Sequence, residues 1–304
     1  MPITTAPIVL FTYARRDHTY RTVESLLRNT LAGNSDLIVF SDAARVVAKQ
    51  SAVVEVRDYL KTITGFRSVT IHHRPCNFGL AKSIIDGVTE VLKQHDRIIV
   101  LEDDMLTSPH FLSFMNEALD LFAEDDRVVS VHGYIYPIKQ SLPEAFFLPG
   151  ADCWGWATWR RAWALFNPNG QYLLDQLKKR KLLNAFDFHG AYHYSRMLKG
   201  QIKGTNDSWA VLWYASAFLA GKLTLYPGRS LVRNIGNDNS GTHSSESKIY
   251  DSALSTTPIN LSHLEVQPST NGRQAFEDFL KQAREGWVRK TLRRARSLAG
   301  RFAQ

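Results

Sequence analysis

Four times in the first third of the chain, a short apolar run rich in β-formers stops at a cluster of polar residues and gives way to a helical pattern. The runs are Pro7–Tyr13, Leu37–Phe40, Val69–His72 and Arg97–Leu101. The first is a continuous apolar run, which suits a strand buried on both faces of a parallel sheet. Between them, Tyr20, Val23, Leu26, Leu27 and Leu31, then Val53, Val56, Tyr59 and Leu60, then Leu80–Lys93 carry helical spacing. Such alternation predicts an α/β fold, a mainly parallel sheet flanked by helices. Ligands of these sheets bind beyond the carboxyl ends of the strands. The polar groups standing there are Thr12, Tyr13, Arg15 and Arg16 after the first run, and Asp42 after the second. Asn77, Gly79 and Lys82 follow the third, and Glu102, Asp103 and Asp104 the fourth.

The acidic triplet is the sharpest of these signals. Three consecutive carboxylates at a buried strand end repel one another unless a cation offsets them. Carboxylate oxygens suit hard divalent ions such as Mn2+ or Mg2+, held with the help of substrate phosphates. A short acidic turn that caps a helix has the same sequence; the apolar strand before Glu102 favours the metal. Arg15, Arg16 and Lys82 are either solvated charges or partners for a diphosphate.

The second half reads differently. Val128–Ile135 is strand-like, and Cys153–Trp163 holds four of the seven tryptophans. Trp156, Trp159 and Trp163 follow the spacing of a core-facing helix. Trp154 stands ahead of that helix with its flat ring available to a ligand, and Trp156 is a second candidate contact. Asp207 opens an apolar helix that runs to Leu219, where it reads both as an N-cap and as a candidate general base. Leu223–Tyr226 is a short strand. The polar stretch from Arg233 leads to His243 and has the composition of a lid. Residues 246–271 read as loop, ahead of a basic helical tail.

Charge narrows the partners. Lys and Arg number 37 against 29 Asp and Glu, a net charge of +8. A basic chain is drawn to phosphates, nucleic acid or anionic membrane. Much of the excess sits in Lys281–Gln304, where eight basic residues face the single acid Glu285. That pattern suits docking on an anionic membrane surface. No nucleic-acid reader motif accompanies it, so no specific nucleic acid is expected. Cys76 and Cys153 are too few for a disulfide framework or a cysteine zinc site. P-loop, serine-hydrolase and zincin motifs are absent from the sequence,. The N-terminus has no basic region before an apolar core,. Ala210–Gly221 falls short of the roughly 20 residues a membrane span needs. The expected location is cytoplasmic, peripheral on the inner face of the plasma membrane.

Together these residues carry a resemblance. Thr12-Tyr13-x-Arg15 after a strand, Asp42 after the next, Asn77-x-Gly79 before a helix and the acidic triplet resemble the nucleotide-sugar half of a GT-A glycosyltransferase. Trp154-Gly-Trp156, then Asn206-Asp207-Ser-Trp209, then Tyr226–Ser230 with a polar loop to His243, is similar in order to the N-acetylglucosaminyltransferase I group. Bacterial family 2-like transferases share that layout. The resemblance covers about residues 7–245 and places a nucleotide-sugar half at 1–104, an acceptor half at 105–245, and loop with tail at 246–304. It implies an inverting, metal-dependent transfer from a nucleotide-sugar donor, UDP-linked and of the UDP-GlcNAc type, to a glycan or lipid-linked glycan. By the same resemblance Asp104 binds the metal, with Asp103 beside it near the ribose and Glu102 near the donor sugar. Thr12, Tyr13, Arg15, Arg16, Asp42, Asn77, Gly79, Lys82 and His243 serve the donor. Asp207 is the base, with Asp152 in reserve. The competing readings are a nucleotidyltransferase of similar fold, and a non-catalytic carbohydrate- or nucleic-acid-binding protein.

Overall fold

The computed structural model describes residues 5–238 and 249–284. The first apolar run forms β1 (Ile8–Thr12), buried at every position. It is followed by α1 (Arg16–Leu27), β2 (Asp36–Ser41), α2 (Gln50–Leu60), β3 (Ser68–His73), α3 (Leu80–Leu92) and β4 (Arg97–Glu102). These strands lie parallel in the order β3-β2-β1-β4, with Ile8 opposite Leu37 on one side and Ile99 on the other. The chain therefore has the expected α/β architecture. α3 lies close on the sheet because Gly87 has no side chain: a Cβ there would meet the Phe11 ring at 2.6 Å.

The second half extends the same sheet. β5 (Met105–Thr107), α4 (Phe111–Leu121), β6 (Val128–His132), β7 (Ala145–Pro149) and β8 (Trp156–Trp159) come first. Then come α5 (Arg160–Trp163), α6 (Gly170–Lys179), α7 (Leu183–Phe186), α8 (Tyr194–Ile202), α9 (Trp209–Leu219), β9 (Leu223–Pro227) and β10 (Val232–Asn234). A last helix, α10, runs over 270–284. Beyond β4 the strand order is β8-β6-β9-β7. β8 is antiparallel to β4 and β6, and β7 is antiparallel to β9. The other strands of this sheet share one direction, so their carboxyl ends form one edge. β5 and β10 form a separate two-stranded ribbon, with Asn234 opposite Met105.

Three expectations change here. The tryptophan helix is instead a strand, β8, followed by a single helical turn. Its spacing was also compatible with a buried strand, and pairing with β4 and β6 decided it. Ser208, not Asp207, caps α9, its hydroxyl accepting from Val211 N. Finally, the boundary at 245 does not separate two packing units. Ile259 and Leu261 join the core around the sheet, and Phe276 and Leu280 join a second core under α6 to α9. Low-complexity polar sequence concealed these anchors. Among the described residues no helix is long and apolar enough to cross a membrane.

Candidate functional site

The carboxyl edge of the parallel half-sheet carries the acidic triplet. β4 ends at Glu102, and the chain turns through Asp103 and Asp104 into β5. Asp103 and Asp104 are only 4% and 8% exposed. The turn is held from α1, where the Thr22 hydroxyl donates to Asp103 O, and from β10, where Ile235 N donates to Asp104 O at 2.9 Å. Gly236 lies directly on the triplet: a Cβ there would fall 2.1 Å from Asp104 Oδ2.

Among the described residues, Arg15 faces these acids. Arg15, at the mouth of α1, donates from Nη2 to Asp103 Oδ1 and, at 2.8 Å, to Asp104 Oδ2. Burial opposes its charge, but the two carboxylates outweigh burial and hold the guanidinium protonated beyond its ordinary range. Burial, and then the charges of Asp104 and Asp103, push the Glu102 carboxyl up to about 8, against the pull of Arg15. Burial also raises Asp103. Asp103 Oδ2 and Asp104 Oδ1 are buried without a hydrogen-bond partner. Among the described residues no group of three His, Cys, Asp or Glu is arranged around a cation. The two orphaned oxygens nonetheless fit one, because an unsatisfied buried carboxylate oxygen is costly until something positive reaches it.

The neighbouring strand ends give a less expected picture. Asp42 is spent on the backbone. Its Oδ1 accepts from Ala43 N and Phe78 N, and its Oδ2 from Gly79 N and the Asn77 amide, all within 2.9–3.0 Å. The carboxylate therefore fastens the 77–79 turn to β2 and leaves little acceptor capacity for a base or ribose. Gly79 has φ +73° and opens α3, with open space where a Cβ would lie. Thr12 Oγ1 is buried without a partner at the end of β1. The Tyr13 hydroxyl accepts from Arg45 N. Lys82 sits over the Phe78 ring, 4.3 Å from its centroid, on the outer side of that turn. Arg16 leaves the edge altogether and lies against the Tyr20 and Tyr59 rings of α1 and α2. His243 and the tail beyond Arg284 lie outside the described residues.

Across β8 the edge continues into an aromatic chamber that the sequence did not announce. Asp152 stands just before β8, its side chain 29% exposed and its Oδ1 accepting from Cys153 N. Its negative charge adds to burial in raising the phenols of Tyr134, Tyr136, Tyr192, Tyr194 and Tyr226. His132 Nε2 lies 3.7 Å from Asp152 Oδ2, and neither of its ring nitrogens has a hydrogen-bond partner. Burial keeps this imidazole below its ordinary pKa, hence neutral, against the pull of Asp152. Cys153 links the chamber to the triplet: burial, then Asp152, Glu102 and Asp104, raise its thiol, so it is not a thiolate nucleophile. Trp154 is half-buried, edge-on to Tyr134 at 4.7 Å. Trp156, by contrast, is 1% exposed and enclosed by Trp163, Trp209 and Trp213. It offers no face to an acceptor, because its strand points it into the core. Asp207 is exposed at the start of α9, at the same edge, since Trp209 packs on Trp156 and Trp156 pairs with Val100 of β4. Only the chain's return made His132 and the tyrosines neighbours; no spacing could have found them.

No protein-family model matches the sequence, and no curated protein matches it significantly. Among solved structures, the chain is similar to S. aureus TarS 1-349, at 11% identity over 58% of this chain and 49% of that one, with a TM-score of 0.35. It is similar also to the mannosyltransferase PcManGT from Pyrobaculum calidifontis, solved with GDP-Man and Mn2+, at 11% identity over 71% and 69% of the two chains and a TM-score of 0.37. A Bacillus anthracis chain described as a glucose-1-phosphate thymidylyltransferase aligns over 54% of this chain with a TM-score of 0.33. The chain spans about half the length of the TarS fragment. Likeness this distant carries no argument about chemistry, which rests on the residues themselves.

Proposed function

We propose that the protein is a GT-A-like glycosyltransferase that moves a sugar from a nucleotide diphosphate donor to a hydroxyl acceptor. The observation that carries this reading is the buried Asp103–Asp104 pair at a parallel strand end, with one unpartnered oxygen on each carboxylate and Arg15 beside them. Those oxygens would hold a divalent Mn2+ or Mg2+ ion, whose chemistry when bound is to neutralise the departing diphosphate. The 77–79 turn, fixed by Asp42, gives the donor a rigid floor.

Transfer with inversion needs a general base on the acceptor side. Asp207, solvent-exposed at the sheet edge, takes the proton of the attacking hydroxyl in this reading. Asp152, before β8, is a second candidate for that role. The half-buried Trp154, Tyr136, Tyr192 and Tyr194 supply aromatic faces that suit a glycan,. A UDP-linked donor such as UDP-GlcNAc and a glycan or lipid-linked acceptor extend the reading, as does a peripheral membrane setting.

The test is a thermal-shift panel of UDP-, GDP-, CMP- and dTDP-sugars with and without Mn2+, repeated on Asp104→Ala. A ligand of the native state raises its melting temperature by mass action. One donor class should stabilise the wild type in the presence of Mn2+ and leave the variant unmoved. Equal stabilisation of both would remove the triplet from the site. Pyrophosphate release from a nucleoside triphosphate and a sugar phosphate would point to a nucleotidyltransferase instead.

A further inference from the structure

Arg15 supplies Asp103 and Asp104 with the positive charge that a divalent cation would also bring. Its Nη2 bridges Asp103 Oδ1 and Asp104 Oδ2, while the other oxygen of each carboxylate has no partner. A divalent ion drawing on both residues meets the guanidinium as a competitor for the same two charges. The backbone of Arg15 is fixed independently of its side chain: Arg15 O accepts from Thr19 N at 3.0 Å and from the Thr19 hydroxyl at 2.9 Å. The side chain retains 19% exposure, so solvent reaches it. Gly236 covers the pair from β10, and a Cβ there would lie 3.0 Å from Arg15 Nη1.

We propose that Arg15 is an exchangeable counter-ion: it neutralises Asp103 and Asp104 in the free protein and passes to the donor diphosphate when a divalent cation takes its place. This rests on the metal and diphosphate reading above. The physical reason is charge balance. Removing Arg15 from the pair leaves two buried carboxylates exposed to each other, which is costly unless a cation arrives. Freeing a guanidinium is equally unfavourable unless it finds new oxygens, and a diphosphate presents them in the forked geometry that Arg matches. Neither ligand alone satisfies both halves of the exchange. The cation and the nucleotide therefore bind with positive coupling, and by linkage each raises the affinity of the other by the same factor.

The experiment measures Mn2+ binding by the electron paramagnetic resonance of the free ion, without nucleotide and with UDP or GDP, the Mn2+–nucleotide complexes being measured separately. Wild type should bind Mn2+ weakly alone and roughly 5- to 150-fold more tightly with the nucleotide it accepts, the usual span of site coupling. Arg15→Met should bind Mn2+ alone more tightly than wild type and lose most of the coupling. Arg15→Lys should fall between them. Arg16→Met removes a neighbouring charge without touching the pair and should behave as wild type. Equal Mn2+ affinity of wild type and Arg15→Met without nucleotide overturns the exchange, as does an equal gain in Arg16→Met. If Arg15→Met does not fold alone, its refolding on adding Mn2+, but not NaCl of equal ionic strength, supports the exchange, and failure to refold overturns it. Absence of Mn2+ binding by every protein, with and without nucleotide, overturns the metal reading itself. Nucleotide-enhanced Mn2+ binding that survives in Arg15→Met overturns only the role of Arg15.

Discussion

The ring of Phe279 lies nearly flat on that of Tyr136, centroids 4.7 Å apart and planes 15° from parallel. Tyr136 lies just after β6, while Phe279 belongs to α10, so the last described helix forms part of the wall around the Asp152 chamber. Tyr250 stands beside both, 6.0 Å from Tyr136 and 6.1 Å from Phe279, and receives the Tyr134 hydroxyl on its backbone oxygen.

Truncation before residue 270 should therefore damage the fold. Phe276 is buried against Tyr136, Phe146, Phe188 and Tyr226. Phe276→Ala alone should cost about 3–5 kcal/mol, the usual loss for a large core aromatic. Urea unfolding reads this directly; an unchanged midpoint would mean that α10 is an appendage.

Asp42→Asn replaces a carboxylate that receives four N–H groups with an amide that brings donors of its own. At least one of the Gly79, Asn77, Phe78 and Ala43 donors then loses its acceptor. Stability should fall by about 1–3 kcal/mol, the penalty of a buried unsatisfied group. Donor affinity should fall with it, because the 77–79 turn loosens. Calorimetry with the responding sugar nucleotide tests the second half; unchanged affinity would mean that the turn does not face the donor.

Turnover separates the two acids at the acceptor edge. Asp207→Asn should lower it by ~10²–10⁴-fold, the span of general acid–base catalysis, at unchanged donor affinity. Ser208 caps α9, so the fold should survive the change. A rate near wild type in Asp207→Asn, with collapse in Asp152→Asn, would transfer the role to Asp152.

Acid stability should depend on Glu277. Burial alone would raise this carboxyl, but hydrogen bonds from Arg273 Nε at 2.9 Å and His189 Nδ1 at 2.7 Å prevail and hold it below the ordinary range. A carboxyl with a depressed folded pKa contributes stability above its unfolded value, and loses it as pH falls through the folded one. The melting temperature should thus drop as pH falls below about 4.5, the ordinary Glu range. Glu277→Gln should melt lower at neutral pH and show a shallower acid decline. Parallel pH profiles for the two proteins would show that the interaction is not linked to folding.

Much of this protein was determined locally. Ile8–Phe11, Leu37–Phe40 and Ile98–Leu101 are apolar without interruption, and such runs have few alternatives to a strand buried on both faces,. Their polar ends announced Arg15, Asp42 and the acidic triplet, because the carboxyl edge of a parallel sheet is set by chain direction alone. Tertiary structure decided what those residues touch. Asp42 reads as a ligand-binding acid until the 77–79 turn closes on it. Trp156 reads as a helical residue or a sugar platform until β8 inserts between β4 and β6. His132, Asp152, Tyr194 and Tyr250 come from separate segments with no shared spacing, and only the sheet's antiparallel return and the packing of α10 assemble them. Periodicity records which face of an element is buried; it holds no record of which distant element will bury it.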